Sequence, residues 1–326
     1  MTDHRSETAI LVPGHLHPHA VEGIGRHFRL IEIEAGDPAL VTPQMAAEVR
    51  GMAAMTVVSA PFLDALPKLE IVANFGVGYD AVDARHCAGR NIMVTNTPDV
   101  LDDEVADTAV GLLINTVREL PQAEAWLRAG RWASEGPYRL TPATLRGRHV
   151  GILGLGRIGR AIATRLQAFG LKISYHNRRP VAGVAYDYHP DLVSLARAVD
   201  TLVSVAPGGS ATEKMVNAEV LRALGPDGVF INIGRGSTVD EAALAAALKD
   251  GTIRAAGLDV FADEPRVPKE LLDAPNACLL PHVGSASVHT RRAMADLVVD
   301  NLVAWFSTGR ALTPVPETSH LARGGT

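Results

Sequence analysis

Short apolar runs alternate with amphipathic stretches along the whole chain, most sharply across residues 149–179. There an apolar run over 149–153 is followed by Gly154, Gly156 and Gly159, the spacing G-x-G-x-x-G. Ile158, Ala161, Ile162, Leu166 and Phe169 then recur at helical spacing until Gly170, and 171–175 is apolar again. The pattern predicts strand, glycine turn, helix and strand, the opening of a dinucleotide-binding fold. The first glycine permits a tight turn, the second lets the backbone approach a pyrophosphate, and the third lets the helix pack on the strand. A pyrophosphate there rests on the free N–H groups of the helix N-terminus, so Arg157 and Ile158 join the three glycines as candidate cofactor contacts.

The same alternation predicts the other elements. Before the motif, strands are expected at 8–12, 28–33, 55–59, 69–74 and 92–94, with helices at 18–26 and 43–50. Residues 99–128 predict one long helix broken near Pro121, and 130–148 an irregular arm that reads equally as a surface loop or a subunit contact. After the motif, strands are expected at 184–186, 201–205, 229–233, 255–260 and 277–280, and helices at 190–198, 217–224, 238–249 and 287–308. Strands alternating with helices imply α/β architecture with parallel sheets covered on both faces.

Composition narrows the class. With 326 residues, 47% hydrophobic and 21% charged, the chain is globular and long enough for two domains. A formal charge of −5 with no basic face argues against nucleic acid as a partner. No apolar run reaches the length of a membrane span, and the first ten residues lack a signal-peptide apolar region. Cys87 and Cys278 stand far apart without metal-ligand spacing, so reduced thiols in the cytoplasm and no metal are expected. His15, His17, His19 and His27 have no ligand partners in sequence and are expected at the surface.

The end of the second dinucleotide strand bears on the cofactor. An NAD site carries an acid about 20 residues after the glycines. Here the chain reads His176-Asn177-Arg178-Arg179-Pro180, with no acid until Asp187. Paired guanidiniums suit a 2′-phosphate, so NADP(H) is expected, with Asn177, Arg178 and Arg179 at the site. Three later strand ends carry Arg235 (between Gly234 and Gly236), Glu264 (before Pro265) and His282 (after Pro281). Ligands of open α/β sheets bind beyond the carboxyl ends of the strands, where these three converge. Reduction of a carbonyl needs such a set. A protonated His282 donates to the oxygen, Glu264 orients the ring through its other nitrogen, and Arg235 holds a carboxylate.

With those residues in place, the chain resembles the D-isomer-specific 2-hydroxyacid dehydrogenase family from about residue 10 to 316. The resemblance rests on NFGVGYD at 74–80, NTPDVLDDEVAD at 96–107, GLGRIG at 154–159, INIGRGSTVDE at 231–241, GLDVFADEP at 257–265 and LLPHVGSAS at 279–287. It implies Arg235, Glu264 and His282 as the catalytic set and the Val77 and Gly78 N–H groups as the carboxylate site. It places Val205, Pro207, Ile233, Asp259, His282 and Gly284 along the cofactor. It also implies two doubly wound parallel-sheet domains, a Rossmann cofactor domain (99–288) inserted into a flavodoxin-like substrate domain (1–98 plus 289–326). The substrate then lies in a cleft that closes between them, and homodimers form across 99–148. The segment Met52-Ala53-Ala54-Met55 is expected to face the carboxylate site, with Met52 touching substrate. SVAPGGSAT at 204–212 departs from the family's usual Pro-Leu-Thr-type sequence there, which leaves the role of the Gly208-Gly209 loop open. The basic HNRR segment resembles the NADP-dependent glyoxylate/hydroxypyruvate reductase branch and also the hydroxyphenylpyruvate reductases. The expected activity is NADPH-dependent reduction of small 2-keto acids. The alternatives are a bulky aryl-pyruvate substrate, or a dinucleotide-sensing, corepressor-like binding protein.

Overall fold

The structure, a computed structural model, describes residues 4–323. Residues 1–3 and 324–326, both ends of the expected substrate domain, lie outside the described residues. The chain divides into two compact units, one of residues 1–101 with 287–326 and the other of residues 102–286.

The first unit is built on five parallel strands: β1 (Ala9–Pro13), β2 (Arg29–Ile33), β3 (Val49–Ala54), β4 (Ile71–Asn74) and β5 (Met93–Thr95). Their order is β2-β1-β3-β4-β5, the flavodoxin-like winding. Ile10, Leu11, Ile71 and Val72 are fully buried, as expected for strands covered on both faces. The third strand corrects the sequence reading, which placed it at 55–59 and ran a helix through Arg50. The helix is Pro43–Glu48, and β3 starts at the next residue. Its side chains are small, and a Cβ on Gly51 would lie 2.6 Å from Ile10 Cδ1. The neighbouring strands, rather than its own apolar side chains, make it a strand. Short helices at Ala60–Asp64 and Ala84–Gly89, capped by Ser59 and Asp83, were not anticipated.

The second unit carries seven parallel strands: β6 (His149–Leu153), β7 (Lys172–His176), β8 (Asp187–Tyr188), β9 (Thr201–Ser204), β10 (Val229–Asn232), β11 (Ala255–Leu258) and β12 (Ala277–Leu279). Their order, β12-β11-β10-β9-β6-β7-β8, reverses between β6 and β9, the Rossmann arrangement. β8 falls at 187–188, not at 184–186, because its register is set by β7, with Tyr188 opposite Tyr175. The expected long helix is two, Asp102–Arg118 and Leu120–Arg128, separated by Glu119 in a left-handed conformation (φ 52°). Pro121 then falls in the first turn of the second helix, where a missing N–H costs nothing. The arm is not wholly irregular, since Arg131–Glu135 is helical.

Candidate active site

Three loops leave the carboxyl edge of the second sheet, and side-chain hydrogen bonds set the course of each. After β10, Asn232 Nδ2 donates to Arg235 O at 2.9 Å and Asn232 Oδ1 accepts the Gly234 N–H at 3.1 Å. Thr238 Oγ1 donates to the same Arg235 carbonyl at 2.7 Å. A fully buried Asn232 therefore fixes the backbone from which the Arg235 guanidinium extends. In the sequence, Asn232 stands as part of an apolar strand, with nothing local to mark this role.

After β11 and β12, Glu264 and His282 meet. His282 Nδ1 lies 2.6 Å from Glu264 Oε2, and Glu264 Oε1 accepts the Phe261 N–H at 3.0 Å. Burial alone would raise the Glu264 carboxyl. The bonds from His282 and Phe261, with the charges of His282 and Arg235, outweigh it and hold the carboxyl below its ordinary value. An ionised Glu264 only accepts, so the proton of this bond sits on Nδ1, and Nε2 is the ring atom left to exchange protons with a ligand.

The loop bearing His282 is pinned by Asp259, which is 1% exposed. Its carboxylate accepts the N–H groups of Val283 (2.7 Å) and Gly284 (2.8 Å), and its carbonyl accepts the His282 N–H at 2.8 Å. These bonds hold His282 at φ 52°, a strained conformation that persists only where the surroundings over-determine it. Burial lifts the Asp259 carboxyl above its ordinary value despite its two N–H partners. Gly284 packs toward Ile233, to which a Cβ would come within 3.5 Å. Val205 runs beside the glycine turn, where a Cβ on Gly154 would lie 3.1 Å from its carbonyl carbon. Pro207, two residues on, is exposed. The fold thus gathers Val205, Ile233, Asp259 and Gly284 along the edge that also carries Arg235, Glu264 and His282.

The glycine turn has the form of a dinucleotide cradle. Gly154 adopts φ 98°, and a Cβ on Gly159 would sit 2.3 Å from Gly154 O, so only glycine closes this turn. A Cβ on Gly156 would meet nothing within 4 Å, leaving open space over the N-terminus of the Arg157–Ala168 helix. Ile158 is half-buried in its first turn. Arg157 is exposed, with Nε 3.4 Å from Asp102 Oδ2. Arg178 and Arg179 are exposed just beyond β7, and these residues fit an NADP dinucleotide. Asn177 Oδ1 accepts the Leu155 N–H at 2.6 Å and so clamps the glycine turn, which leaves its Nδ2 donors for a ligand.

In the first unit, hydrogen bonds hold the carbonyls of the loop after β4. Gly76 O accepts from Thr97 N (3.0 Å) and Asn74 Nδ2 (3.1 Å), and Val77 O accepts from Asn96 Nδ2 (2.8 Å). Asn74 Nδ2 also reaches Gly78 O at 3.0 Å. In a trans peptide, C=O and N–H point opposite ways. Tying back the carbonyls of Gly76 and Val77 therefore turns the N–H groups of Val77 and Gly78 to the other side, as an anion site needs. Asn74 and Asn96 were in the motifs read from the sequence, but their work was not. Met52, expected at the substrate, is fully buried in the core of this unit with Leu11 and Val72. The exposed side chain at the end of β3 is Met55. His17 is not a plain surface residue either. Its Nδ1 accepts the His19 N–H at 3.2 Å, and its ring stacks on Phe75 at 5.9 Å.

At the opposite, amino-terminal edge of the second sheet, a cavity of about 210 Å³ is lined by residues including Val229, Arg254, Ala277 and Cys278. Cys87 and Cys278 are buried free thiols, and burial pushes Cys87 up to about 12. Among the described residues no helix is long and apolar enough to cross a membrane.

Residues 110–284 match the NAD binding domain of the D-isomer specific 2-hydroxyacid dehydrogenases. The chain is 50% identical over 256 residues to a hydroxyphenylpyruvate reductase of Plectranthus scutellarioides, covering 78% of this chain and 81% of that protein. It is 49% identical over the same length and shares to a glyoxylate/hydroxypyruvate reductase of Arabidopsis thaliana. It also resembles the crystal structure of an NADPH-dependent glyoxylate/hydroxypyruvate reductase from Sinorhizobium meliloti in complex with NADP and malonate. There the TM-score is 0.96 and the identity 60%, over 98% of this chain and 100% of that one.

Proposed function

The chain belongs to the D-isomer specific 2-hydroxyacid dehydrogenase family, and on that premise we propose that it reduces small 2-keto acids to D-2-hydroxy acids with NADPH. Glyoxylate and hydroxypyruvate are the foremost substrates in this reading. The observation that carries it is the 2.6 Å contact between Glu264 and His282 Nδ1 on the sheet edge that also bears Arg235. Turnover, rather than dinucleotide sensing alone, is what such a pair is built for.

Gly154, Gly156, Arg157, Ile158 and Gly159 hold the pyrophosphate, and Arg178 and Arg179 the 2′-phosphate. Val205, Pro207, Ile233, Asp259 and Gly284 border the nicotinamide half. NADPH, when bound there, supplies the hydride that the carbonyl carbon accepts. As negative charge grows on the carbonyl oxygen, a protonated His282 donates from Nε2, and the product leaves as a hydroxyl. Glu264 keeps the ring oriented and its positive charge balanced until solvent restores the proton. Arg235 binds the substrate carboxylate through its planar fork and polarises the carbonyl. In the first unit, the Val77 and Gly78 N–H groups are the candidate anion site.

Rates followed at the NADPH absorbance with glyoxylate, hydroxypyruvate, hydroxyphenylpyruvate and an uncharged aldehyde test the reading. Arg235→Lys keeps the charge but loses the fork, so catalytic efficiency should fall steeply for the keto acids and less for the aldehyde. Equal fold-losses would mean that Arg235 does not read the carboxylate. The two curated relatives are equally similar and do not separate small from aryl substrates. The 60% identical structure favours the small ones.

The protein is further proposed to act as a homodimer in the cytoplasm, through the face of residues 120–140. Leu120, Leu127 and Trp132 are exposed there, and Leu140 is 94% exposed. Light scattering on the wild type and on Leu127→Asp would decide the oligomeric state.

A further inference from the structure

The chain carries a further carboxylate beside the Glu264–His282 pair. Glu241 is the first residue of the Glu241–Asp250 helix, whose cap is Asp240 rather than Glu241. Its Oε1 accepts the Ala262 N–H at 2.8 Å. The preceding amide, that of Phe261, is the one that donates to Glu264 Oε1 at 3.0 Å. Consecutive N–H groups are therefore divided between two carboxylates. One carboxylate belongs to the loop, and the other reaches it from a separate helix.

A second contact holds the same segment. A Cβ on Gly236 would fall 1.9 Å from the Phe261 carbonyl carbon, so the backbone next to Arg235 and the backbone at Phe261 are in direct contact. The Phe261–Glu264 turn is thus fixed on one side by Gly236 and on the other by Glu241. Burial, followed by the charges of Asp263 and Glu264, raises the Glu241 carboxyl above its ordinary value. The chain keeps an acid where its ionisation is penalised, and a helix N-terminus with its own Asp cap needs no such residue.

We propose that Glu241 is a positioning residue for the reduction, holding the Phe261–Glu264 turn so that Glu264 meets His282 Nδ1 at bonding distance. The inference rests on the reading of Glu264 and His282 as the proton-delivering pair. It assigns Glu241 no contact with substrate or cofactor. What matters in this role is the reach of an acceptor oxygen to Ala262, more than the charge behind it.

Two conservative variants separate reach from charge. Glu241→Asp keeps the charge and the helix-start chemistry but draws the oxygen back by one methylene. Glu241→Gln keeps the reach and drops the charge. A displacement of about 1 Å in a catalytic group can cost on the order of 100-fold. Glu241→Asp should accordingly lower kcat by about 10- to 100-fold, with the Kd for NADPH unchanged. Its acid limb should move to higher pH, because a loosened Glu264 loses the bonds that depress its carboxyl. Glu241→Gln should recover most of the rate and leave the limb where it is or slightly lower. The NMR resonance of the His282 Nδ1 proton, deshielded by Glu264, should move upfield in Glu241→Asp and not in Glu241→Gln. That signal reports the contact whether or not a keto acid is turned over, so failure of this inference is distinct from failure of the proposed activity. Wild-type behaviour in Glu241→Asp would overturn the proposal. So would a rate loss with an unmoved pH profile and proton resonance, or a Gln variant as impaired as the Asp one.

Discussion

Asn177 Oδ1 accepts the Leu155 N–H at 2.6 Å, tying the glycine turn after β6 to the end of β7. The residue that precedes the two arginines thus shapes the turn that faces the cofactor. Asn177→Ala leaves a partly buried N–H without that acceptor, at about 1–3 kcal/mol. It should weaken NADPH and NADH alike. Arg178→Ala with Arg179→Ala should weaken NADPH far more than NADH. Fluorescence titration with both dinucleotides checks the contrast, and an NADPH-selective loss in Asn177→Ala would reverse the assignment.

The glycines of the turn should separate in the same way. Gly159→Ala drives a Cβ to 2.3 Å from Gly154 O, so the protein should lose stability whether or not a dinucleotide is present. Gly156→Ala meets nothing within 4 Å and should melt like the wild type, yet bind NADPH poorly because the methyl takes the space of the pyrophosphate. Thermal melts paired with NADPH titration would show it.

The pH dependence follows from Glu264, whose carboxyl is held below its ordinary value. A depressed folded-state pKa contributes stability that is present above the unfolded value and is lost as pH falls through the folded one. The pair with His282 should therefore stay intact at pH values where a free glutamate is already protonated. Reduction of glyoxylate should hold its rate down to that range and then fall. Glu264→Gln removes the titrating group, so the rate should be low and this limb absent. An acid limb of unchanged shape in the variant would place its origin elsewhere.

Asn74 donates to Gly76 O, which turns the Val77 N–H of the nest outward, and to Gly78 O. Asn74→Ala should raise KM for keto acids by about tenfold, the worth of one to two such bonds, and leave NADPH affinity intact. Asn74→Asp should be worse than Ala, since an ionised carboxylate would face two carbonyl oxygens and sit beside an anion site. Steady-state kinetics on the two variants test this order, and an Asp variant better than the Ala one would contradict it.

The sequence alone determined the class of fold, and it put the candidate catalytic residues at the ends of strands. Apolar runs broken by amphipathic stretches can fold only as strands and helices in alternation. The G-x-G-x-x-G turn followed by Arg178-Arg179 pointed to an NADP-type ligand, because the demands of a turn, a helix N-terminus and a 2′-phosphate are local. Arg235, Glu264 and His282 were legible for the same reason, each standing at the end of a recognisable strand. What the sequence could not carry were relations across the fold. β3 is a strand because Ile10 and Ile71 flank it, and nothing in Val49–Ala54 alone says so. Met52 is core and Met55 is exposed because a strand's pleat and its end decide which side chains reach solvent. Asn74, Asn96, Asn177, Asn232, Asp259 and Glu241 each satisfy backbone groups that are distant in sequence or turned by a loop. A polar side chain's partner is set by the path of the backbone around it, and only the tertiary structure fixes that path.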